Sequence, residues 1–279
     1  MNIQTIILPV NGYGTHAATL TAYVQHNIGA RADRERPAVV ICPGGGYEFC
    51  SDREAEPVAL AFVARGYQAF VLDYTVVDAD EEAMGHALLP APQRDLAHAV
   101  AEVRGNAHAW HVDASRIAII GFSAGGHLCA TYSGVSRDPE FARDLGFTCE
   151  DIAVSAQILC YPVIDLAGGW PKDPARVPRL CGEATPELLS AQRLVDAGTP
   201  RTFIWHTASD QGVPVRNTYV YAEALAAAGV DHDVHVFHAG PHGLSLATEE
   251  SAKDAAGVMP HVARWFDLAI EWLEEEPAG

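Results

Sequence analysis

One serine lies in the stretch of this chain that is best suited to nucleophilic chemistry. Ser123 is the centre of the sequence Gly-Phe-Ser-Ala-Gly, which matches the pattern G-x-S-x-G. The apolar residues 117–120 predict a buried strand before it, and the residues from Gly126 onward predict a helix. A turn of this kind holds the serine hydroxyl above the sheet edge, where helix N–H groups can stabilise a developing oxyanion. The pattern therefore predicts that Ser123 is a nucleophile on a strained turn with positive φ.

A serine hydroxyl becomes a good nucleophile only when a histidine takes its proton and a carboxylate orients that histidine. Asp210 follows a strand predicted over residues 201–206 and is the candidate acid. His242 lies in a Gly-Pro-His-Gly loop after a strand predicted over residues 232–238 and is the candidate base. Because the strand ends of an open parallel sheet meet at one edge, we expect these residues to lie near Ser123.

The sequence offers more than one candidate for each partner of the serine. Three other histidines lie near predicted strand ends or near the serine, namely His127, His206 and His238. Two other acids follow predicted strands, namely Asp73 and Asp165. His242 is favoured because its glycine-flanked loop can swing the ring over the serine. Asp165 comes one strand too early and Asp73 precedes the nucleophile, so both are interpreted as loop-stabilising carboxylates.

Three consecutive glycines follow an early predicted strand. That strand covers residues 37–42, and Gly44, Gly45 and Gly46 come directly after Pro43. Glycines at a strand end let backbone N–H groups approach a ligand without interference from side chains. Their position matches the second half of an oxyanion hole. We call residues 43–47 the glycine loop.

Strands alternate with helices along most of the chain, which predicts a parallel sheet with helices on both faces. Residues 3–8 and 19–27 predict an antiparallel pair at the sheet edge. The sequence Ser51-Asp-Arg-Glu54 resembles a capping box at the start of a helix. Residues 75–92 predict an irregular surface loop at the edge of the site. Apolar residues at helical spacing predict further helices over residues 93–104, 215–228 and 261–275.

Length and composition limit the possible classes of protein. The chain has 279 residues, 49% of them hydrophobic, which predicts a single α/β domain over residues 1–279. Residues 166–200 are proline-rich and predict a small cap, and we call them the cap segment. The net charge of −18 argues against nucleic acid or an anionic membrane as partner. Six cysteines without CxxC spacing, with no signal-peptide pattern, predict a cytoplasmic protein.

Metal and glycosidase chemistry find little support in the sequence. His232, His235 and His238 are close in the chain, but a strand would point them to opposite faces, so they cannot converge on a metal ion. Acidic residues are abundant, yet no pair is singled out for glycoside hydrolysis. We therefore expect neither a metal nor a cofactor.

Five motifs in order resemble those of α/β-hydrolase esterases near the hormone-sensitive-lipase group. They are Cys-Pro-Gly-Gly-Gly-Tyr47, Gly-Phe-Ser-Ala-Gly-Gly-His127, Tyr-Pro-Val-Ile-Asp165, His-Thr-Ala-Ser-Asp210 and Gly-Pro-His-Gly-Leu-Ser-Leu246. Within that group the chain is most similar to small bacterial acetyl esterases linked to acetylated xylan. The chain order serine, aspartate, histidine is also that of α/β-hydrolases.

The resemblance implies an α/β-hydrolase fold with an eight-stranded, mostly parallel sheet and a small cap. It implies that Ser123 is the nucleophile, Asp210 the acid and His242 the base. It also implies an oxyanion hole formed by the N–H groups of three residues, Gly45, Gly46 and Ala124. One departure is that Pro43 replaces the histidine of the usual His-Gly-Gly-Gly motif, so the hydrogen bonds that anchor the loop must differ.

These observations predict a serine carboxylesterase that hydrolyses acetyl and other short-chain esters, with carbohydrate alcohols such as acetylated xylo-oligosaccharides. A long acyl chain needs a long apolar tunnel, and the cap segment is too short to build one. Tyr47 and Trp170 are the candidate substrate-binding residues.

Competing hypotheses are an arylformamidase or small peptidase on the same fold, or a catalytically inactive binding protein. Members of this branch that carry a xylanase label would owe it to their pathway, since the chemistry of Ser123 is acyl transfer. The sequence predicts no oligomeric state.

Overall fold

A twisted sheet of eight strands organises the protein. The computed structural model describes residues 1–31, 33–168, 170–171, 173–182 and 184–275. The strands are β1 (Asn2–Ile7), β2 (Thr19–Val24), β3 (Arg36–Cys42), β4 (Gln68–Asp73), β5 (Val112–Phe122), β6 (Ala156–Cys160), β7 (Arg201–Thr207) and β8 (His232–Phe237). Their spatial order is β1-β2-β4-β3-β5-β6-β7-β8. Strands β3 to β8 pair in parallel, whereas β2 pairs antiparallel with both β1 and β4. The predicted mostly parallel, eight-stranded sheet is confirmed.

Helices cover both faces of the sheet. They are α1 (Glu56–Ala64), α2 (Ala79–Ala83), α3 (Ala91–Gly105), α4 (Ala124–Val135), α5 (Pro139–Asp144), α6 (Val177–Cys181), α7 (Arg216–Ala228), α8 (Pro260–Ala263) and α9 (Trp265–Glu274). Alternate side chains of β5 enter two separate hydrophobic clusters: Ile119 packs with residues of α3, α4 and α7, and Ile120 packs with residues of α1 and α9. A strand that is buried on both sides explains the unbroken apolar run in the sequence.

Three local predictions are corrected by the structure. The supposed capping box is wrong, because the side chain of Ser51 caps no helix and α1 begins only at Glu56. Residues 75–92 are not wholly irregular, because they contain the short helix α2. The side chain of Asp78 caps this helix by accepting hydrogen bonds from the backbone N–H groups of Asp80 and Glu81. The closing helix is divided into α8 and α9, with a break at Arg264.

The cap segment forms short helical turns above the C-terminal ends of the parallel strands. Helix α6 and the 3-10 turns at 174–176, 186–189 and 191–194 are the regular parts that the structure describes. Residues 169, 172 and 183 of the predicted cap, and residues 32 and 276–279 of the predicted domain, lie outside the described residues. No helix in the described ranges combines the length and the apolarity that a bilayer span requires.

Candidate active site

Ser123 lies on a sharp turn between β5 and α4, which we call the elbow (residues 121–125). Its φ is 53°, so the predicted positive φ is confirmed. The turn is possible because Gly121 and Gly125 lack side chains. A Cβ on Gly121 would lie 2.1 Å from the carbonyl oxygen of Gly125, and a Cβ on Gly125 would lie 2.1 Å from that of Cys42. The backbone also holds the serine from two sides, because Ser123 N–H donates to Cys160 and Val163 N–H donates to Ser123.

The structure brings Ser123, His242 and Asp210 into one continuous hydrogen-bonded line. Ser123 Oγ lies 2.8 Å from His242 Nε2, and His242 Nδ1 lies 2.6 Å from Asp210 Oδ2. Because the carboxylate accepts from Nδ1–H, the free lone pair of Nε2 faces the serine hydroxyl. This is the arrangement in which an imidazole can remove the hydroxyl proton.

Asp210 is held in its ionised form by its surroundings. Burial alone would raise the pKa of this carboxyl, but hydrogen bonds from His206, His242 and Val213 outweigh it and hold the pKa well below its usual range. The N–H groups of Gly212 and Val213 donate to Oδ1 at 2.7 and 2.9 Å. The carboxylate is therefore fixed both in charge and in orientation.

His206 is a member of this site that sequence reasoning considered only as a rival base. Its Nε2 lies 3.2 Å from Asp210 Oδ2, and its Nδ1 lies 2.9 Å from the hydroxyl of Thr218. The side chain is fully buried and faces the acid, not the serine. The sequence contained one signal for this role, which is the four-residue spacing between His206 and Asp210 at the end of β7.

The rival candidates for base and acid make no described hydrogen bond to the side chain of Ser123; they are His238, Asp165 and Asp73. His238 is exposed, and its ring is 6.2 Å from that of His261. Asp165 accepts from Arg216 Nη1 at 2.7 Å and from Ser190 Oγ at 3.2 Å, which is the loop-stabilising role expected of it. Asp73 is exposed at the end of β4.

The glycine loop lies directly beside the nucleophile. A Cβ on Gly44 would lie 3.1 Å from Ser123 Cβ, and Gly45 and Gly46 have positive φ values of 139° and 65°. Within the described part of the chain, the N–H groups of Gly45, Gly46 and Ala124 donate to no acceptor. Backbone donors left free beside a serine hydroxyl are what an oxyanion hole requires.

The loop is anchored without the histidine that its motif usually carries. Tyr74 O–H donates to the carbonyl of Pro43 at 2.6 Å, and a carboxylate oxygen of Glu54 accepts the N–H of Gly44 at 2.7 Å. These bonds are the different anchoring that the replacement by Pro43 predicted.

The two candidate substrate-binding residues have different positions. Tyr47 is fully buried, so the expectation that it contacts substrate is corrected. Its hydroxyl lies 2.8 Å from Nδ1 of His127, whose Nε2 lies 2.8 Å from the carbonyl of Leu189. Burial lowers the pKa of His127 to about 4, so the ring is neutral. Through its two hydrogen bonds this ring connects α4, on which it lies, to the glycine loop and to the cap segment. Trp170 is also largely buried, with 8% of its surface exposed, and it lies 4.0 Å from the position that a Cβ on Gly46 would take.

Two further features bear on the location of the site. Among the described residues, no group of three or more His, Cys, Asp or Glu side chains is arranged to hold a metal ion. An apolar groove of about 760 Å³ lies between α1, the segment after Leu246 and the C-terminal helices. That groove is not bordered by Ser123, His242 or Asp210. The candidate active site is therefore identified by these hydrogen-bonded side chains and not by the size of a groove.

Comparison with known proteins identifies the family. The sequence profile named BD-FAE matches residues 20–225. This chain belongs to the BD-FAE family, a family of α/β-hydrolase esterases. The resemblance inferred from the five motifs is therefore confirmed. Over 78% of its length, the chain is 35% identical to "Endo-1,4-beta-xylanase B" of Butyrivibrio fibrisolvens. It is 26% identical over 76% of its length to "Acetylxylan esterase" of Xylanibacter ruminicola.

The chain spans only part of those two relatives, namely 34% and 42% of their lengths. One of the solved structures aligns with the whole of this chain. The carboxylesterase Cest-2923 from Lactobacillus plantarum superposes with a TM-score of 0.90 at 33% identity, with 100% of both chains covered. The α/β-hydrolase fold is thereby established.

Proposed function

We propose that this protein is a serine carboxylesterase that hydrolyses acetyl and other short-chain esters. The observation that carries the proposal is the unbroken line from Ser123 Oγ through His242 to Asp210, with 2.8 and 2.6 Å between the bonded atoms. The family is one of esterases, which agrees with this chemistry.

In the first half of the reaction Ser123 Oγ attacks the ester carbonyl carbon, and His242 Nε2 takes the hydroxyl proton. Asp210 remains ionised and stabilises the imidazolium that forms. The N–H groups of Gly45, Gly46 and Ala124 bind the carbonyl oxygen as it becomes negative. The bond to the alcohol oxygen then breaks, and that oxygen leaves with the proton from Nε2. An acetyl group remains on Ser123.

In the second half His242 removes a proton from water as the water oxygen attacks the acetyl carbon. The tetrahedral intermediate collapses, Ser123 Oγ recovers a proton from Nε2, and acetic acid leaves and gives up its proton to the solvent as acetate. Each proton taken by His242 is returned, so the enzyme ends in its starting state.

The acyl group is proposed to be short because the cap segment contributes only short helical turns above the strand ends. Trp170 lies beside Gly46, and Arg176 Nη2 lies 3.4 Å from the position that a Cβ on Gly46 would take. An acyl tail of many carbons needs an apolar tunnel, since each buried CH₂ contributes about 0.8 kcal/mol. The name of the acetylxylan esterase relative supports an acetylated carbohydrate as the physiological substrate.

A panel of esters on one enzyme preparation tests this proposal. We expect kcat/KM to be highest for p-nitrophenyl acetate and to fall steeply beyond about four acyl carbons, with acetate released from acetylated xylo-oligosaccharides. Equal turnover of the decanoate below its micelle concentration would contradict the short-acyl proposal. N-Formylkynurenine and a p-nitroanilide peptide, run in the same assay, test the arylformamidase and peptidase hypotheses. Absence of turnover with every substrate would favour a binding protein.

A further inference from the structure

We propose that Glu54 is a positioning residue of this site, whose buried carboxylate holds the glycine loop and the His242 loop in register and stabilises the imidazolium. The inference rests on the proposed function, because it concerns the same serine chemistry. It also gives a role to the sequence Ser51-Asp-Arg-Glu54, which caps no helix.

Glu54 makes one hydrogen bond to each half of the catalytic machinery. Its Oε2 accepts the N–H of Gly44 at 2.7 Å, and its Oε1 lies 2.6 Å from the hydroxyl of Tyr161. The bond to Gly44 fixes the peptide that leads into the proposed oxyanion glycines. The side chain is held away from water, since the residue is only 3% exposed.

Tyr161 carries the connection from Glu54 to the His242 loop. The phenol oxygen accepts the N–H of Ser245 at 2.8 Å, and the Tyr161 ring lies 5.2 Å from the ring of His242 in an edge-on contact. Tyr161 has a φ of 38°, in the left-handed region, so its backbone is strained to place the ring there.

Arg53 makes a second connection to the same loop. Its guanidinium donates to the carbonyls of Gly243 and Ser251, each at 3.0 Å, and its own carbonyl accepts from Ser245 Oγ at 2.7 Å. Arg53 therefore contacts residues that follow the proposed base in the chain, and Glu54, next to it, contacts the glycine loop.

The hydrogen bonds identify Glu54 as a carboxylate. Both of its oxygens receive donors: a backbone N–H, and a phenol whose oxygen already accepts from Ser245. A protonated carboxyl would need an acceptor of its own, and the described contacts provide none. Burial is the largest influence and leaves the pKa of Glu54 raised, although the bonds from Tyr161 and Gly44 and the charges of His242 and Arg53 act against it.

The titratable and charged groups that face Glu54 come from several elements. They are Arg53, Tyr74, Cys160, Tyr161 and His242. Burial raises the pKa of the Tyr161 phenol well above its usual value, so that group stays a donor. His242 also faces Asp210, and in the proposed reaction it carries a positive charge once it has taken the serine proton. A fixed negative charge in a dry interior favours that step.

The test is the rate at which a fluorophosphonate labels Ser123, measured from about pH 5 to about pH 8. In labelling, Ser123 Oγ attacks phosphorus, fluoride leaves and His242 takes the hydroxyl proton. Removing the charge with Glu54→Gln should lower the plateau rate about tenfold. It should also move the acidic limb to lower pH by about half a unit, because the imidazolium loses a favourable charge.

The variant Glu54→Asp separates the effect of the position of the carboxylate from the effect of its charge. It also provides a test if the Glu54→Gln variant does not fold. It keeps the charge but withdraws it from Gly44, so we expect a reduced plateau rate with the acidic limb at the wild-type pH. Glu56→Gln, an exposed carboxyl two residues away, is the matched control and should behave as wild type.

A wild-type acidic limb in Glu54→Gln, or a wild-type plateau rate in Glu54→Asp, would overturn the role of Glu54 alone. Failure of the wild-type protein to be labelled at Ser123 would overturn the proposed function and this inference with it.

Discussion

The elbow and the cap segment lie on the same edge of the sheet but are held in different ways. The elbow is fixed by backbone, since Ser123 exchanges main-chain hydrogen bonds with Cys160 and Val163 at 3.0 Å. The cap segment is held by main-chain bonds, such as Ala191 N–H donating to Ile164, and also by side-chain tethers. In two of these tethers Ser190 Oγ donates to Asp165 Oδ1 at 3.2 Å, and His127 Nε2 lies 2.8 Å from the carbonyl of Leu189.

This difference has a functional consequence. Main-chain bonds form whatever side chains are present, so the backbone of Ser123 should stay in place when neighbouring side chains change. The side-chain tethers of the cap segment can be replaced one at a time, so substitutions there can alter the cover over the site without disturbing the strands beneath it. At the edge of such a sheet we therefore expect the elbow to keep its geometry and the cap segment above it to vary.

The largest expected effect lies in the elbow. Ser123→Ala removes the only hydroxyl bonded to His242 among the described residues, and kcat for p-nitrophenyl acetate should fall about 10⁵- to 10⁶-fold. Its thermal unfolding should stay close to wild type, because the turn geometry comes from the backbone. A variant that retains a tenth of wild-type activity would show that another residue is the nucleophile.

His127 joins the two regions, and its substitution tests their coupling through pH. The folded protein holds the pKa of His127 at about 4, against an ordinary value of 6.5. Between these values the unfolded chain binds a proton that the folded chain does not, so stability falls as the pH falls from 6.5 toward 4. This change amounts to about 3 kcal/mol.

Urea unfolding of His127→Gln measures that contribution. At pH 7 the variant should be about 1–2 kcal/mol less stable, because it makes the bonds to Tyr47 and Leu189 less well. On acidification it should lose about 3 kcal/mol less than wild type. His26→Gln, at an exposed position, is the control. Parallel losses in wild type and His127→Gln would contradict the assignment of a neutral buried ring.

The smallest expected effect lies within the cap segment. Arg179 pairs with Glu82 at 2.8 Å and with Glu48 at 3.8 Å, and its side chain is about one-third exposed. Such partly exposed pairs contribute about 0–1 kcal/mol. Arg179→Ala should therefore leave kcat/KM for p-nitrophenyl acetate within about twofold of wild type.

The same variant should change KM for acetylated xylo-oligosaccharides more than for the small ester, since only the larger alcohol reaches over the cap segment. Arg143→Ala, which removes an exposed ion pair within α5, is the control. Equal effects of the two substitutions on both substrates would argue that the cap segment plays no part in substrate choice.

Sequence reasoning succeeded where the determining interactions are local. The apolar run of β5, the two glycines of the elbow and the serine between them are neighbours in the chain, and together they allow one backbone path. The sheet, its edge pair and the elbow could be predicted for this reason. Strand ends are also predictable, which is why Ser123, Asp210 and His242 were expected at one edge and the structure places them there.

The predictions that failed concern side chains whose partners are distant in sequence. Glu54 was interpreted as part of a helix cap, but it lies under the glycine loop because Tyr161, 107 residues away, donates to it. Tyr47 was expected to face substrate, but His127, 80 residues away, draws its hydroxyl inward.

The sequence by itself thus determined the fold, the nucleophile turn and the candidates for acid and base, because backbone sterics and hydrophobic periodicity act over a few residues. Only the tertiary structure decided which buried polar groups face one another. A buried donor or acceptor must find a partner wherever the folded chain supplies one, and that choice placed His206 on Asp210 and Glu54 beneath the glycine loop.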